Sequence, residues 1–467
     1  MAGAGLAGSS AAWLLAGRGF SVQLLERNSL SGGRAGSAPD PETGEPIDTG
    51  QHAMMGCYSS TLRWLREMGT DHLVRFQPRL EVAYASNPPV IFRARRLPAP
   101  LNLLGGVLAL PGMTTALLLK SLPLWKAILA RRSLDEITVS EWANQLGIPG
   151  PVRKWVLNPL ALAAINEPPE TGSAYPMARV MRRIARRGGK WSAMGWATAG
   201  MGELYVPQVR QRIESSGGVV RNGAEVRGII VEGGRTAGVR LSGGEEVRSD
   251  AVVLALPPWD LPKVLEGIPS CSGISAGAGL LKPSPLLTVH LWLDIPVMEA
   301  PFMGLVDCPF DWLFNRTYMM SPEGGHLGET GSRRTGPARK GLQPAPPMAG
   351  RGLQPVQPLA GRGLQQIALL RSGAREMLGK NPAELEGMAL DCLRRSLPGA
   401  KSAQVVHRRI VWVTQGTVSL VPGTNKLRPG VRTPINGLYL AGGWTNTGLP
   451  DTIEGAVVSG RKVAGLV

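Results

Sequence analysis

Met1-Ala2-Gly3-Ala4-Gly5-Leu6-Ala7-Gly8 is the stretch that decides the fold of this 467-residue chain. Its three glycines have the G-x-G-x-x-G spacing of the turn that places a dinucleotide diphosphate at a helix N-terminus. The small, apolar residues from Ser9 to Ala16 predict a helix that packs closely on a sheet. We therefore expect the diphosphate to contact the residues of this turn, which are Gly3, Gly5, Leu6, Ala7 and Gly8.

The next segment predicts the second strand of a dinucleotide-binding unit. The apolar stretch from Phe20 to Leu25 ends at Glu26. An acid roughly 20 residues after such glycines binds ribose hydroxyls, so Glu26 and the adjacent Arg27 are predicted cofactor contacts. The strand that normally precedes Gly3 is missing, which predicts unpaired ladder groups in its neighbours. We expect either a strand encoded upstream or a truncated chain that folds weakly.

The step Gly32-Gly33-Arg34 narrows the choice of cofactor. It resembles the flavoprotein amine oxidase and carotenoid desaturase superfamily, in which the arginine meets the diphosphate of FAD. The resemblance implies FAD rather than NAD, with Gly33 and Arg34 among its contacts. Further along, Gly50-Gln51-His52 is polar and is followed by small and apolar residues, which suits backbone that runs beside a flavin ring.

Size and composition favour a two-domain globular protein. The chain has 467 residues and 43% hydrophobic content, more than one compact core usually holds. Its four cysteines and five histidines are scattered without metal-ligand spacing, so we predict reduced thiols, no metal site and a cytoplasmic location. The net charge of +17 comes without a nucleic-acid-binding motif, and we expect no nucleic-acid partner. It indicates either a surface facing anionic lipid or a basic compositional bias.

The uncharged run from Leu101 to Leu119 is close to membrane-spanning length. Pro111 and Gly112 predict that it breaks into two short helices. We interpret the run as an apolar lid or a monotopic element, giving peripheral contact with the inner face of the cell membrane. The alternative is a plain buried helix pair. No secretory signal is visible.

The order of predicted elements indicates an α/β fold with a Rossmann-like FAD domain and a mixed α+β substrate domain inserted between its pieces. Predicted strands at Val219–Arg221 and Ala224–Val231 return the chain to the nucleotide sheet. In the superfamily, backbone at a position such as Val226 touches the adenine. The FAD domain is predicted to comprise residues 1–80, 195–265 and 431–467, and the substrate domain residues 81–194 and 266–430.

A repeat interrupts the second part of the substrate domain. Gly-Leu-Gln recurs at Gly341, Gly352 and Gly363, in a segment rich in Gly, Pro, Gln and Arg. Such a composition has little to bury, so residues 326–366 are predicted to be a disordered insertion. Its flanks, Trp312–Met319 and Gln366–Leu370, predict strands.

The C-terminal segment carries a second strong pattern. Leu438–Ala441 predicts a buried strand that meets Gly442-Gly443, and a helix of small residues begins near Asp451. In flavoproteins this arrangement places a helix N-terminus at the flavin pyrimidine edge, where its dipole stabilises negative charge. The expected FAD contacts here are Gly442, Gly443, Thr452 and Ile453.

Three segments together resemble the hydroxysqualene dehydroxylases, the squalene-associated FAD-dependent desaturases of hopanoid biosynthesis. They are D-T-G-Q-H from Asp48, L-N-P-L-A-L-A-A-I-N-E-P-P-E from Leu157, and A-G-G-W-T-N-T-G-L-P-D-T-I-E-G-A from Ala441. The resemblance covers the chain except for the repeat insertion. Gly443 departs from it, because the family commonly has Asp there, near the ribityl and phosphate part of FAD. This departure implies weaker FAD binding.

The resemblance implies reduction of hydroxysqualene, a C30 isoprenoid, to squalene by reduced FAD. An allylic hydroxyl leaves as water while hydride goes to carbon, so the site needs an apolar tunnel and a proton donor. By itself, the stretch from Asn158 to Asn166 favours a core helix with polar ends. The sequence indicates no particular electron donor for the flavin. The candidate catalytic residues are Asp48, His52, Asn158 and Asn166.

Three alternatives stay open. A phytoene or other carotenoid desaturase would use oxidised flavin on a related isoprenoid. An amine oxidase usually places paired aromatics beside the flavin, which Trp444 alone does not supply. The non-enzyme alternative is a relic that no longer holds FAD, suggested by the absent strand and by Gly443.

Overall fold

The computed structural model describes residues 1–86, 88–129, 134–321 and 363–467. The strands are β1 (Gln23–Glu26), β2 (Ser37–Pro39), β3 (Pro46–Asp48), β4 (Met54–Met55), β5 (Val74–Phe76), β6 (Glu81–Ala85), β7 (Val90–Arg93), β8 (Met194–Ala197), β9 (Val219–Asn222), β10 (Val226–Glu232), β11 (Arg235–Leu241), β12 (Glu246–Arg248), β13 (Val252–Leu254), β14 (Pro283–Leu293), β15 (Phe302–Leu305), β16 (Trp312–Asn315), β17 (Gln365–Ser372), β18 (Val405–Val418) and β19 (Leu438–Leu440). The α-helices are α1 (Leu6–Ala16), α2 (Ser59–Met68), α3 (Leu101–Val107), α4 (Thr115–Lys120), α5 (Leu122–Leu129), α6 (Val139–Gln145), α7 (Gly150–Val152), α8 (Asn158–Ile165), α9 (Ala174–Ile184), α10 (Val206–Ser215), α11 (Leu261–Val264), α12 (Ser272–Leu280), α13 (Arg316–Met320), α14 (Pro382–Ser396) and α15 (Ile453–Ala464).

A parallel sheet forms around the N-terminal residues. β1 pairs with β9, and β13 pairs with β19. Ala2 joins these two pairs, because it forms parallel bridges with both Leu25 and Leu254. Its N–H donates to the carbonyl of Val253 at 2.9 Å, and the N–H of Leu25 donates to the carbonyl of Met1 at 2.9 Å. The prediction of unpaired ladder groups was therefore wrong for the adjoining residues of β1 and β13, because Met1–Gly3 supply their partners.

The first and last helices pack directly on each other beside this sheet. A Cβ on Gly460 of α15 would collide with Ser10 Oγ and with the carbonyl oxygen of Ala7 in α1. The small residues at this crossing let the helix backbones approach closely. The two ends of the chain are thereby fixed to one structural unit.

A second sheet has seven strands in the order β18-β14-β17-β16-β15-β6-β7. Its pairs are antiparallel except for β15 with β6, which run parallel. Side chains alternate between its faces, as strand geometry requires. Leu287 and Leu291 of β14 form a buried cluster with Leu393 of α14. The opposite face carries Trp312 and Phe314, which line a cavity described below.

The α/β class predicted from the sequence is confirmed, but two predictions around the repeat were wrong in part. The predicted strand from Trp312 to Met319 ends at Asn315, because the Asn315 side chain accepts the N–H of Tyr318 and caps α13. The insertion was predicted to extend to residue 366, but β17 already begins at Gln365. Gln365 is already buried in β17, and its Oε1 accepts the Val297 N–H at 2.7 Å. The remainder of the insertion, residues 326–362, lies outside the described residues.

The apolar run after β7 breaks as predicted. Helices α3 and α4 are separated by residues 108–114, which contain Pro111 and Gly112, the latter with φ +75°. No helix within the described ranges is long and apolar enough to cross a membrane. Part of this region is nevertheless exposed, including the side chains of Leu108 and Leu119.

The prediction of four reduced thiols was wrong for one pair. Cys308 and Cys392 form a disulfide, with their Cα atoms 6.0 Å apart. Cys308 follows β15 and Cys392 lies on α14, so their separation of 84 residues in sequence hid their proximity. Cys57 and Cys271 are buried free thiols.

One buried carboxylate joins the starts of two helices. Glu454, in the first turn of α15, accepts the N–H groups of Ser60 and Thr61 at the start of α2, at 3.1 and 2.9 Å. It also accepts from the Arg183 guanidinium at 2.6 Å. Helix N-termini attract negative charge, and the paired arginine compensates the desolvation of the carboxylate.

We expect Glu454→Ala to lower the free energy of unfolding by about 3 kcal/mol, because it leaves the partly exposed Arg183 guanidinium and two helix N–H groups without this acceptor. Chemical denaturation of the purified protein measures this loss. Glu67→Ala is the matched control, since Glu67 of α2 forms an exposed pair with Arg461 of the same α15 at 3.1 Å. The control is expected to lose less than about 1 kcal/mol. Equal losses in the two variants would show that the bridging role is misassigned.

Candidate active site

Two glycines of the N-terminal turn let backbone approach backbone. Gly3 has φ +97°, and a Cβ there would lie 2.5 Å from the carbonyl oxygen of Ala255. A Cβ on Gly8 would collide with the carbonyl oxygen of Gly3. Gly5 differs, because a Cβ built on it meets nothing within 4 Å and the residue lines a cavity. Gly3 and Gly8 therefore hold the turn together, whereas Gly5 leaves space for a ligand.

The cavity at this turn has a volume of about 710 Å³ and is lined by both sheets. Leu6 and Ala7, in the first turn of α1, belong to its wall. N–H groups in a first helical turn lack partners within the helix, and Gly5 offers no side-chain cap. The predicted cofactor contacts that line the cavity are Gly3, Gly5, Leu6, Ala7, Glu26, Arg27, Gly33, Arg34, Gly50, Gln51, Val226, Gly442, Gly443, Thr452 and Ile453. Gly8 is the one predicted contact that lies behind this wall.

Glu26 stabilises the glycine turn by accepting a hydrogen bond from its backbone. Its Oε2 accepts the N–H of Ala4 at 2.9 Å, and its Oε1 accepts the N–H and side-chain amide of Asn28 at 3.0 and 2.8 Å. The side chain is only 5% exposed, yet it borders the cavity. Arg27 points elsewhere along the wall and pairs with Asp260 at 2.9 Å. The carboxylate thus orders two loops that meet at the cavity.

A second charged pair lies at the other side of the glycine turn. Arg34 donates to Asp451 Oδ2 at 2.7 Å and to the carbonyl of Gly416 at 2.9 Å. The Asp451 side chain is 3% exposed, while that of Arg34 is 34% exposed. Asp451 directly precedes Thr452, whose side chain caps α15. The N-termini of α1 and α15 consequently border the same cavity.

Four shielded polar side-chain atoms in the cavity wall have no hydrogen-bond partner in the described structure. They are Gln51 Oε1, His52 Nδ1, Trp259 Nε1 and Ser372 Oγ. Buried polar groups are ordinarily paired, so each indicates a position where a ligand supplies the missing partner. Burial lowers the pKa of His52, and the nearby Arg316 and Arg34 lower it further, while Asp48 opposes them.

The four candidate catalytic residues separate into two groups. His52 and Asn166 line the cavity. Asn166 ends α8 with φ +53°, and its side chain donates to Thr417 Oγ1 at 3.3 Å. Asp48 and Asn158 are not part of the wall. Asp48 is buried, where it accepts from Ser37 Oγ at 2.6 Å and the Met201 N–H at 2.9 Å. It also pairs with Arg316 at 3.3 Å.

The face of the seven-stranded sheet gives the cavity an apolar wall. Its apolar side chains come from β14, β16, β17 and β18 and are Leu286, Trp312, Phe314, Leu370, Trp412 and Val413. The uncharged polar residues Ser372, Thr414, Gln415 and Thr417 of β17 and β18 also line the cavity. Among the described residues that this sheet contributes to the wall there is no aspartate or glutamate. Such a surface suits an uncharged, hydrophobic substrate.

Arg428 organises the loop between β19 and α15, and sequence reasoning missed it. Its guanidinium donates to the carbonyl oxygens of Gly443, Trp444, Thr445 and Leu449 at 2.7 to 2.9 Å. The residue is buried, and this burial lowers its pKa. No local pattern marks an arginine of this kind, because its acceptors are backbone atoms 15 to 21 residues further along.

Comparison with known proteins agrees with this geometry. The family model for flavin containing amine oxidoreductase matches residues 6–467. The chain belongs to this family. It is an FAD-dependent oxidoreductase, which confirms the predictions of cofactor and enzyme class, and family membership counts against a relic without flavin.

The chain is similar to individual members over its whole length. It is 28% identical to hydroxysqualene dehydroxylase from Rhodopseudomonas palustris, covering 100% of this chain and 97% of that protein. It is 26% identical to 15-cis-phytoene desaturase from Solanum lycopersicum, covering 99% and 76%. The solved structure of an oxidoreductase from Methanosarcina mazei has a TM-score of 0.70 at 16% identity, covering 99% of both chains, which shows a common fold.

The residues of the cavity fit FAD. The space at Gly5 and the helix N-terminus beside it suit a diphosphate, and Arg34 offers a cation next to them. The unpartnered atoms of Gln51 and Trp259 are available to a polar ring system. When bound, FAD supplies hydride-transfer chemistry that none of these side chains can perform.

We expect Glu26→Ala to raise the Kd for FAD by about 10- to 100-fold, because the Ala4 N–H and the Asn28 loop lose a buried charged acceptor. Titration of the apoprotein with FAD, followed by fluorescence quenching, measures this. Glu245→Ala is the control, since Glu245 pairs with Arg221 of β9 in an exposed position. Unchanged flavin affinity in Glu26→Ala would contradict its assigned role.

Proposed function

We propose that this protein is a hydroxysqualene dehydroxylase, which reduces hydroxysqualene to squalene in hopanoid biosynthesis. One observation carries the proposal: a single cavity joins the glycine-rich cofactor turn to an aromatic and aliphatic wall. A C30 isoprenoid alcohol matches that wall because it is apolar apart from one hydroxyl. The full-length similarity to hydroxysqualene dehydroxylase from Rhodopseudomonas palustris supports the same reaction.

His52 is the residue we propose as proton donor. Reduced FAD, when held by the cavity residues described above, would supply the hydride for replacement of the allylic hydroxyl. The carbon–oxygen bond breaks, a carbon–hydrogen bond forms, and the leaving oxygen takes a proton from the His52 imidazolium and departs as water. Burial and the neighbouring arginines lower the pKa of His52, so its protonated form is a stronger acid than a histidine in water.

Two buried charged residues, Asp48 and Arg316, act electrostatically on His52. The Asp48–Arg316 pair is buried behind it, with both side chains no more than 2% exposed. We propose Asp48 and Arg316 as positioning residues and Asn166 as a hydrogen-bonding group in the wall. Asn158 has no proposed part, because it begins α8 away from the cavity.

This proposal assigns FAD binding to one domain and substrate binding to the other. Residues 1–80, 195–265 and 431–467 form the proposed FAD domain, and residues 81–194 and 266–430 the proposed substrate domain.

The exposed leucines of α3–α5, which include Leu101, Leu108, Leu119 and Leu122, form a surface suited to peripheral contact with a membrane. Such contact would deliver a lipid-dissolved substrate, and binding to anionic vesicles is its test.

A phytoene desaturase is the second candidate function. It is favoured by the 26% identity to the Solanum lycopersicum enzyme over 99% of this chain. An amine oxidase is less compatible with the wall, since its described sheet residues include no carboxylate to pair with an ammonium group. Trp444, the one aromatic residue that the sequence offered for an amine oxidase site, is fully buried, and its indole N–H is donated to the carbonyl of Leu256 at 2.9 Å.

The two isoprenoid candidates differ in the direction of electron flow. We expect purified protein with chemically reduced FAD, under anaerobic conditions, to convert hydroxysqualene into squalene detectable by mass spectrometry. With oxidised FAD and phytoene, we expect no conjugated, coloured product. Colour from phytoene without squalene from hydroxysqualene would replace our proposal with the desaturase.

We expect His52→Gln to lower kcat for hydroxysqualene by about 10²-fold or more, because the proton donor is lost. In the wild type, activity should rise only as pH falls below the usual titration range of histidine, because burial lowers the pKa of His52 and only its protonated form donates. The variant should lose this pH dependence while keeping its flavin. His72→Gln, at an exposed position in the short 3-10 helix Asp71–Leu73, is the control. A variant with the wild-type pH profile would exclude His52 as the donor.

A further inference from the structure

Gly443 and Asp451 compete for the same space in the cavity wall. A Cβ on Gly443 would collide with Asp451 Oδ1, and it would lie 3.3 Å from Asp451 Cα. The colliding atom belongs to the carboxylate, whereas the nearest backbone atoms, Thr452 O at 3.2 Å and Asp451 Cα at 3.3 Å, are close enough to require only a small shift. Turning the carboxylate away from a Cβ at position 443 would break its hydrogen bonds with Arg34 and with the Val418 N–H. A side chain at position 443 and the present carboxylate at 451 therefore exclude each other.

Asp451 is a deeply placed carboxylate with a defined task. Its Oδ2 accepts from Arg34 Nη1 at 2.7 Å and from the Val418 N–H at 3.0 Å, while Oδ1 accepts from Arg34 Nη2 at 3.3 Å. This two-point contact fixes the plane of the guanidinium. Because 34% of the Arg34 side chain stays exposed, part of it is available to a ligand in the cavity.

We propose that Gly443 and Asp451 act as one unit, in which Gly443 makes room for the carboxylate that holds Arg34 at the FAD site. The acidic group of this wall is thus carried by residue 451 instead of residue 443. The Asp451 carboxylate can occupy its position only because residue 443 is glycine, and Gly443 therefore does not weaken FAD binding. Asp451 is a positioning residue, and the inference rests on the proposed contact between Arg34 and FAD.

The physical gain is a guanidinium that is already oriented before the cofactor binds. A free arginine loses side-chain entropy on meeting a diphosphate, whereas one held by a carboxylate has lost most of it during folding. Asp451 is itself favoured where it lies, since it immediately precedes the N-terminus of the 12-residue helix α15.

The test is a set of variants titrated with FAD as apoproteins, with thermal unfolding recorded without FAD. We expect Gly443→Ala and Asp451→Ala each to raise the Kd about tenfold. In the Asp451→Ala background, Gly443→Ala should add less than about twofold, because the collision is gone. Gly443→Asp combined with Asp451→Ala should bind FAD about tenfold more tightly than Gly443→Ala combined with Asp451→Ala. Gly430→Ala is the control glycine, since a Cβ there meets nothing within 4 Å.

The outcomes separate this inference from the proposed function. Additive effects of the Gly443→Ala and Asp451→Ala changes overturn it, as does failure of the Gly443→Asp combination to improve on the Gly443→Ala combination. If the wild-type protein binds FAD but the effects of the two substitutions add, the proposed cofactor site stands and only the coupling between Gly443 and Asp451 is refuted. If Asp451→Ala fails to fold, Asp451→Ser serves as the shorter polar replacement in the same cycle. Squalene formation tests the proposed function and is measured separately, so it affects neither the FAD-binding result nor the coupling result.

Discussion

Close approach of backbone to backbone, with no side chain between, is the constraint on which this structure depends. Helix α1 begins against the end of β13 only because Gly3 has no Cβ to meet the Ala255 carbonyl. Helix α15 crosses α1 only because Gly460 has none to meet Ser10. As these contacts come from opposite ends of the chain, they bring two helix N-termini to one cavity. Both termini present partial positive charge where an anionic cofactor lies.

A buried arginine and a buried carboxylate then fix the loops beside these helices. Arg428 donates to four carbonyl oxygens of one loop, and Glu454, paired with the partly exposed Arg183, accepts two N–H groups at the start of α2. A desolvated charge is costly unless its hydrogen bonds are satisfied, so Arg428 and Glu454 each allow few arrangements of the backbone around them. The cavity wall is thereby held in place before any ligand enters, which reduces the ordering that binding would otherwise require.

Local signals in the sequence predicted individual elements but not contacts between distant residues. The helix after the glycine turn, the strand that ends at Glu26 and the break at Pro111 depend on neighbours close in sequence, and each was predicted correctly in outline. The contact of Glu26 with FAD stays a prediction. The burial of Gln365 could not be predicted, because its partners, Val297 and Met298, lie 68 and 67 residues away. The same reason hid the Cys308–Cys392 disulfide. Distance in sequence also concealed that Asp48 is engaged with Met201, behind the wall instead of in it.

The burial of the cavity wall connects its cofactor side to its substrate side. Burial is the largest cause of the lowered pKa of His52, and Arg316 and Arg34 lower it further while Asp48 opposes them. The lowered pKa therefore reflects chiefly the exclusion of water from this part of the wall. An ammonium group would lose its hydration on entering such a site, whereas an uncharged isoprenoid has little hydration to lose and can pack on the aromatic side chains of the seven-stranded sheet. In the proposed reaction, the same burial makes a protonated His52 a stronger acid toward the leaving oxygen.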